Sequence, residues 1–404
     1  MAEAGVCARA RARARHQISF FLLSRTPHAP FSSFCQCFHN LDLHSDIFNH
    51  SNIHFWEYAQ PGYDAIGFIS CTGTNFLIRA AAFRDAGWSP EYTLTEDFAL
   101  GLRLKKLGFH CRYVQRYLAV GEAPSGVRNC FQQRSRWAKG HFQLVFSLAH
   151  NPLFQAGLSL RDRLLYCSGV WCYAVSALTI PTYAAIPLVT IWAGVFPCII
   201  DRWFACALTA YALTTQALQY YVRTPRHVEA LWFADVANAI LWWAYVKAAW
   251  RMLWARIFFC CSRVSFKATA KGSGRLAASI VGDVWLHAVF LFVLAVTVAV
   301  GVWQLVAGAA LLSPLLISVL WAAHAAVPPF LLLAYVGVGG PGIALHLACR
   351  MAQLVSAGSA AAAVGLVWAI KEFSPVQGEG GLINGREIGL AFRELNKKVE
   401  ASLG

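Results

Sequence analysis

The sequence predicts a partial α/β domain followed by an α-helical polytopic membrane domain. Three observations predict it. The 404 residues are 57% apolar and only 13% charged, with a mean hydropathy of +0.48, whereas a soluble globular chain carries about 25% charged residues. The apolar residues are unevenly spread. Residues 1–160 mix charges, turn signals and short apolar runs, and residues 164–370 read as long apolar runs broken once by a basic stretch. Within the first part, strand-like runs alternate with helical patterns, as in a layered α/β unit. The expected limits are 1–34 for an arginine-rich disordered start, 35–160 for the α/β domain, 161–370 for the membrane domain and 371–404 for a polar tail.

The α/β part reads as follows. An aromatic stretch begins at His54 and runs to Tyr63, and the short apolar run Ala65–Ser70 leads into Cys71-Thr-Gly-Thr-Asn75. Phe76–Arg79 reads as a strand, and Ala80–Ala86 as a helical turn closed by Gly87. Glu96–Gly108 reads as a helix with Phe98, Leu100, Leu102, Leu104 and Leu107 apolar. Thr95 suits its N-cap, Glu96 and Asp97 its first turn, and Gly108 its C-terminal cap. His110–Val114 reads as a strand and Val127–His150 as an amphipathic helix.

The apolar part predicts about five spans of bilayer length: 176–199, behind an interfacial lead-in from Leu164, then 204–222, 284–306, 309–336 and 343–370. Residues 229–259 carry Asp235, Lys247, Arg251 and Arg256 beside tryptophans at 232, 242, 243 and 250. They read as an amphipathic helix lying in the membrane interface, with a further span as the alternative. The basic stretch 247–275 belongs on the cytosolic side. Two spans before it return the chain to the side of the α/β domain, which is consistent only if 229–259 does not cross. The protein is thus expected to be an integral multi-pass protein of the plasma membrane or Golgi, its soluble domain in the cytosol.

The formal net charge is +14. A nucleic-acid partner is one reading of that excess, but no recognition module accompanies it. The cations cluster beside apolar segments, the juxtamembrane pattern, and an anionic nucleotide-sugar or pyrophosphate fits them too. The 13 cysteines are scattered without paired CxxC motifs, so they read as small buried residues rather than zinc ligands. Arg9, Arg11, Arg13 and Arg15 alternate with alanine, and no apolar segment of signal-peptide length follows them.

Two clusters carry chemistry. In Thr95-Glu96-Asp97, a carboxylate within reach of a sugar hydroxyl can take its proton as general base. Alone, the triplet reads first as a helix cap with first-turn charge. In Gln133-Arg134-Ser135-Arg136-Trp137, an arginine fork suits a phosphate and an indole face suits a pyranose ring. Gln133 can bond sugar hydroxyls. Alone, the Arg/Trp pair also reads as an interfacial anchor.

Order and spacing join them. The triplet precedes the Gln-x-x-Arg-Trp cluster by about 35 residues, and apolar spans follow. Ser70-Cys-Thr-Gly-Thr-Asn-Phe-Leu-Ile-Arg79, Thr95-Glu-Asp-Phe-Ala-Leu-Gly-Leu-Arg103, Ala119-Val-Gly-Glu-Ala-Pro124 and Gln132-Gln-Arg-Ser-Arg-Trp-Ala-Lys-Gly140 together resemble the processive family-2 glycosyltransferases of the cellulose synthase kind. The resemblance covers roughly residues 35–370. Phe266-Lys-Ala-Thr-Ala-Lys-Gly272 resembles that family's gating loop, FxVTxKG, with Ala268 in place of its valine. The resemblance implies the C-terminal half of a GT-A domain, with a gating loop at 263–274. It implies Asp97 as general base with Glu96 and Thr95 beside it. Gln133, Arg136 and Trp137 would hold the acceptor end and the donor pyrophosphate. Cys71, Thr72, Gly73 and Thr74 would meet the acceptor's terminal sugar, and Phe266, Thr269 and Lys271 would close over the donor.

The same resemblance implies UDP-glucose with Mg²⁺ or Mn²⁺, a growing β-1,4-glucan, and a homo-oligomer or synthase complex, without nucleic acid. The sequence also departs from the family. The family's donor half supplies an aspartate for uracil and an Asp-x-Asp for the metal. This sequence has no Asp-x-Asp, and Asp46 and Asp64 stand isolated. No metal-ligating set is therefore expected. The expectation is a truncated copy that lacks the donor half and is inactive alone, with a real fragment or a degenerate paralogue as alternatives. A sibling synthase of mannan, mixed-linkage glucan, chitin or hyaluronan also remains open, as does a non-catalytic glucan channel.

Overall fold

The computed structural model describes residues 31–41, 46–49, 51–68, 71–124, 126–195, 230–259, 281–308, 312–338 and 344–353, with isolated positions at 207, 210 and 214. The chain divides into two compact units. The first holds residues 48–177 and 241–275 with the N-terminal segment to Leu41, and the second holds 42–47, 178–240 and 276–404.

The first unit is built on a three-stranded mixed sheet in the order β2-β1-β3. Its strands are β1 (Phe31–Phe38), β2 (Phe76–Ile78) and β3 (Cys111–Gly121). β1 runs antiparallel to β2 and parallel to β3. β1 starts ahead of the limit expected at residue 35. Because it is the central strand it is covered on both faces, and Phe31, Ser32, Ser33, Phe34 and Cys35 are all buried. Its serine pair breaks the apolar pattern that would have revealed the strand. β3 is longer than the expected His110–Val114, because its far half continues to pair with Cys35–Phe38 past two register shifts.

The helices of this unit are α1 (Ser51–His54), a π-helical turn (Phe55–Ala59), α2 (Gln60–Ala65), α3 (Ala80–Asp85), α4 (Glu96–Lys106) and α5 (Val127–Val145). α4 has acids in its first turn and Arg103, Lys105 and Lys106 in its last, both favourable to the helix dipole. It closes through Gly108 at φ +79°, where the Phe109 amide reaches Leu104 O at 3.1 Å and the Gly108 amide reaches Lys105 O at 3.0 Å, the left-handed cap only glycine adopts freely. Its buried side chains feed two cores. Leu100 and Leu104 pack with Phe31, Cys71 and Cys111, and Phe98, Ala99 and Leu102 pack with Phe68, Leu144 and Tyr166. α5 stops at Val145 and not at the expected His150, because the Asn151 side chain donates to Val145 O at 2.8 Å and caps the end.

The apolar part is helical: α6 (Leu160–Ala193), α7 (Ala230–Ile240), α8 (Trp242–Phe259), α9 (Val281–Val306) and α10 (Leu312–Gly337). Three helical stretches are long and apolar enough to cross a membrane: Leu160–Ala193, Val284–Val306 and Ser318–Gly337. α6 is one continuous helix through Pro181 and Pro187. It starts ahead of the expected lead-in and stops at Ala193, short of residue 199, where Gly194 turns with φ +63°. The expected single helix 229–259 is two helices broken at Leu241. There His287 Nε2–H donates to Ile240 O at 2.8 Å and takes the last carbonyl of α7. α8 is not among the stretches long and apolar enough to cross, since Lys247, Arg251 and Arg256 fall within its 18 residues.

Within the second unit, Gly301 of α9 lets Ile191 of α6 and Leu315 of α10 approach closely. Trp192 Nε1 donates to Thr297 Oγ1 at 3.1 Å, and Ala184, Leu294, Ala322 and Ala325 form its small core. The span expected at 204–222, most of 343–370, the gating loop and both termini lie outside the described residues.

Candidate functional site

The loop between α2 and β2 is anchored from below. Cys71 is buried among Phe31, Leu100 and Leu104, and the backbone of Gly73 and Thr72 bonds its sulfur. Burial, then the nearby Asp97 charge, push this thiol far above its ordinary range, so it is a neutral core group and not a nucleophile. The Thr72 hydroxyl donates to Thr74 O and the Thr74 hydroxyl to Asn75 Oδ1, both at 3.4 Å. The Phe34 amide donates to Asn75 O at 2.9 Å and ties the loop to the central strand.

Above this loop stands the first turn of α4. Gly73 has φ +68°, and a Cβ on it would lie 2.7 Å from Asp97 Oδ2. The loop therefore presents bare backbone to the carboxylate. Asp97 Oδ1 accepts the Phe98 amide at 2.8 Å. Burial raises the Asp97 carboxyl to about 6, and Glu96 adds to the rise, while the Phe98 amide and the Arg136 charge oppose it. Such a carboxylate is still largely ionised at neutral pH and binds a proton more readily than a free aspartate. Glu96 is exposed. Thr95 occupies the N-cap position, but its side chain makes no capping bond. Its hydroxyl lies 3.2 Å from that of Thr93, and it is buried because α5 presses on it.

That pressure comes from Gly140. A Cβ there would lie 2.6 Å from the Thr95 side chain and 2.7 Å from its backbone nitrogen. The Thr93 hydroxyl donates to Gly140 O at 2.9 Å, and the Leu94 amide donates to Gln143 Oε1 at 2.8 Å. These bonds latch the segment before α4 onto α5. Sequence reading missed Thr93, Gly140 and Gln143. One signal was available: glycine inside a helix costs about 1 kcal/mol relative to alanine, so Gly140 within α5 implied a close approach.

α5 carries the second cluster. Gln133, Arg136 and Trp137 are all half-buried. Arg136 acts on Asp97 through its charge. The Arg134 guanidinium lies over the Trp137 ring at 4.8 Å and donates to Ser51 Oγ at 2.9 Å. His141 Nδ1–H donates to Trp137 O at 2.8 Å. The His141 ring packs against Phe98 at 4.6 Å and Tyr173 at 5.1 Å. Burial lowers it to about 4, so it stays neutral and acts as a strut between the two clusters. The structure thus brings Gly73, Asp97 and Arg136 together and seats Thr95 against α5. Gln133 and Trp137 share α5 with Arg136. Phe266, Thr269 and Lys271 lie outside the described residues.

Mg²⁺ or Mn²⁺ is implied by resemblance, and a hard divalent ion needs several converging oxygens. Among the described residues no group of three His, Cys, Asp or Glu side chains converges. The described residues do not form such a cage.

Residues 59–214 match the family described as Glycosyl transferase family group 2, a stretch that contains both clusters. The chain is similar to a UDP-forming cellulose synthase catalytic subunit of Dictyostelium discoideum, 30% identical over 158 residues, which cover 39% of this chain and 15% of that protein. It is similar to the UDP-forming cellulose synthase catalytic subunit of Xanthomonas axonopodis pv. citri, 30% identical over 131 residues, 32% of this chain and 18% of that protein. It is also similar to cellulose synthase 1 of Komagataeibacter xylinus, 34% identical over 116 residues, 29% of this chain and 7% of that protein. The chain therefore matches less than a fifth of the length of each of these relatives. Residues 59–214 are thus similar to family-2 glycosyltransferases, and the relatives named here are cellulose synthases.

Proposed function

We propose that this chain supplies the acceptor side of a membrane β-glycosyltransferase that polymerises glucose from UDP-glucose into β-1,4-glucan and passes the product through the bilayer. The supporting observation is the convergence of Gly73, Asp97 and Arg136, which come from three separate stretches of sequence. In the proposed step, Asp97 takes the proton of the acceptor's terminal hydroxyl. The oxygen attacks the anomeric carbon of glucose, and the bond from that carbon to UDP breaks, the electron pair leaving with UDP. Arg136 and Gln133 orient the phosphates and the acceptor end, and Trp137 offers a flat face to a sugar ring. Thr95 and Glu96 shape the mouth of the turn, and Cys71, Thr72 and Thr74 hold the loop that meets the terminal sugar.

The sequence contains no Asp-x-Asp, so the 404-residue chain is proposed to be inactive alone and to need a donor-binding half. The same observation favours a second reading, a non-catalytic paralogue that only binds or passes glucan. Two measurements separate these readings. Cello-oligosaccharide binding to the full chain in detergent, followed by calorimetry, should be lost in Trp137→Ala. Unchanged binding there removes the acceptor site from both readings. A chain joined to the donor half of a relative should make glucan from UDP-glucose and lose it in Asp97→Asn. No glucan from that joined chain leaves only the non-catalytic reading.

A further inference from the structure

One face of α6 is shaped to receive a side chain from α4. Tyr166, Gly169 and Tyr173 recur at helical spacing and share that face. Tyr166 is fully buried and Tyr173 half-buried. Gly169 leaves a gap between the two tyrosines, and the gap holds Phe98. A Cβ on Gly169 would lie 3.1 Å and 3.3 Å from two atoms of the Phe98 ring and 3.8 Å from His141 Nε2. The Phe98 ring lies 5.5 Å from that of Tyr166 and 4.6 Å from that of His141. The His141 ring in turn lies 5.1 Å from that of Tyr173. Glycine weakens the interior of a helix, so its place here calls for a close approach, and Phe98 makes it.

Both contacts lead to functional groups. Phe98 carries the amide that donates to Asp97 Oδ1 at 2.8 Å. His141 carries the Nδ1–H that donates to Trp137 O at 2.8 Å. The ring contacts and these bonds run without a break from α6 to the carboxylate on one side and to the α5 cluster on the other. A hydrogen bond weakens steeply as its angle departs from linear, so a small displacement of Phe98 is felt at Asp97. The helix that supplies this face is long and apolar enough to cross a membrane.

We propose that Gly169 and Tyr173 are positioning residues of the glycosyl-transfer site, by which α6 sets the Asp97 carboxylate through Phe98 and the Trp137 ring through His141. This role rests on the transferase reading and deepens it. The first half of α6 is then scaffold for the site, and transfer depends on how it stands against α4 and α5.

The test uses the full chain in detergent and needs no turnover. Asp97 is reacted with a water-soluble carbodiimide and an amine at a series of pH values, and peptide mass spectrometry reads the protonated fraction. The wild-type midpoint should lie at about 6, where burial raises it against the pull of the Phe98 amide and the Arg136 charge. The Phe98 amide favours the ionised form, so Gly169→Ala should move the midpoint upward. Adding Phe98→Leu, which empties the gap and keeps the amide, should bring it back. Cello-oligosaccharide affinity, read by calorimetry, should fall about threefold in Tyr173→Leu and hold in Tyr173→Phe, which keeps the ring. Tyr173→Leu removes atoms and adds no bulk, so it stays readable even where Gly169→Ala does not fold. A midpoint unmoved in Gly169→Ala overturns the proposal, and so does a shift that persists after Phe98→Leu is added. Equal loss of affinity in Tyr173→Leu and Tyr173→Phe overturns the part played by Tyr173. A wild-type chain that binds no cello-oligosaccharide removes the acceptor reading itself, whereas the midpoint still decides whether α6 positions Asp97.

Discussion

In the α/β unit, backbone is held by side chains from far along the sequence. Thr93 and Leu94 are tied to Gly140 and Gln143. The Tyr113 amide is tied to Asp64 at 2.9 Å, and Asn40 exchanges two bonds of 2.9 Å with Ala123. Among the described residues of the helical unit, the cross-links include Trp192 to Thr297, His287 to Ile240 O at 2.8 Å and Gln304 to Ile191 O at 3.2 Å. The close glycine contacts differ between the units. Gly140 faces the backbone nitrogen of Thr95, whereas Gly301 faces the methyl ends of Leu315 and Ile191. The difference teaches where precision is built. The first unit fixes loops that carry functional groups, and backbone contacts cannot yield. Apolar helices pack by small residues and shape, and side-chain ends can move aside.

The largest effect that could break this contrast is chemical. In a chain joined to a donor-binding half, Asp97→Asn should lower glucan synthesis from UDP-glucose by about 10²–10⁴-fold, the usual worth of a general base, while cello-oligosaccharide binding persists. Retained synthesis would remove Asp97 from its role. Next comes the latch. Gly140→Ala should destabilise the α/β unit by about 1–3 kcal/mol through overpacking, because the Thr95 nitrogen cannot rotate away. Denaturation in detergent measures it, and a neutral result would mean that α5 shifts freely against α4.

A smaller effect concerns the charge itself. The Asp97 carboxyl is raised from 3.8 to about 6 in the fold, so the folded state binds the extra proton between those values and loses stability as pH rises through them. Asp97→Asn should therefore stabilise the protein by about 1–2 kcal/mol above pH 6, after allowance for its partial exposure. The gain should vanish as pH falls to about 4. A gain that stays constant across that window would assign the effect to something other than ionisation. Smallest is Gly301→Ala. Its new methyl meets only flexible ends, so the cost should stay below about 1 kcal/mol and well under that of Gly140→Ala. The reverse order would break the comparison outright.

Much of the layout was legible in the sequence because it depends on local signals. The acidic start and basic end of α4, its glycine cap, and the apolar runs of α6, α9 and α10 are each written in contiguous residues. The ends of elements were less legible. β1 is hidden by Ser32 and Ser33, since a central strand buries both faces and shows no alternation. α5 ends early because of Asn151, six residues beyond it, and the break at Leu241 depends on His287, which is far away in sequence. The site was half legible. The residue types of both clusters could be read, but Thr95 was expected to cap α4 and instead packs under Gly140.

The sequence by itself determined the class of each segment, because hydropathy, charge and helix-end chemistry act over a few residues. It also determined which side chains were available for chemistry. Only the tertiary structure decided which of them meet. Gly73, Asp97 and Arg136 converge because β1 anchors one loop and α5 latches another. The raised Asp97 carboxyl follows from burial in that convergence, which is a property of packing that no stretch of the chain possesses alone.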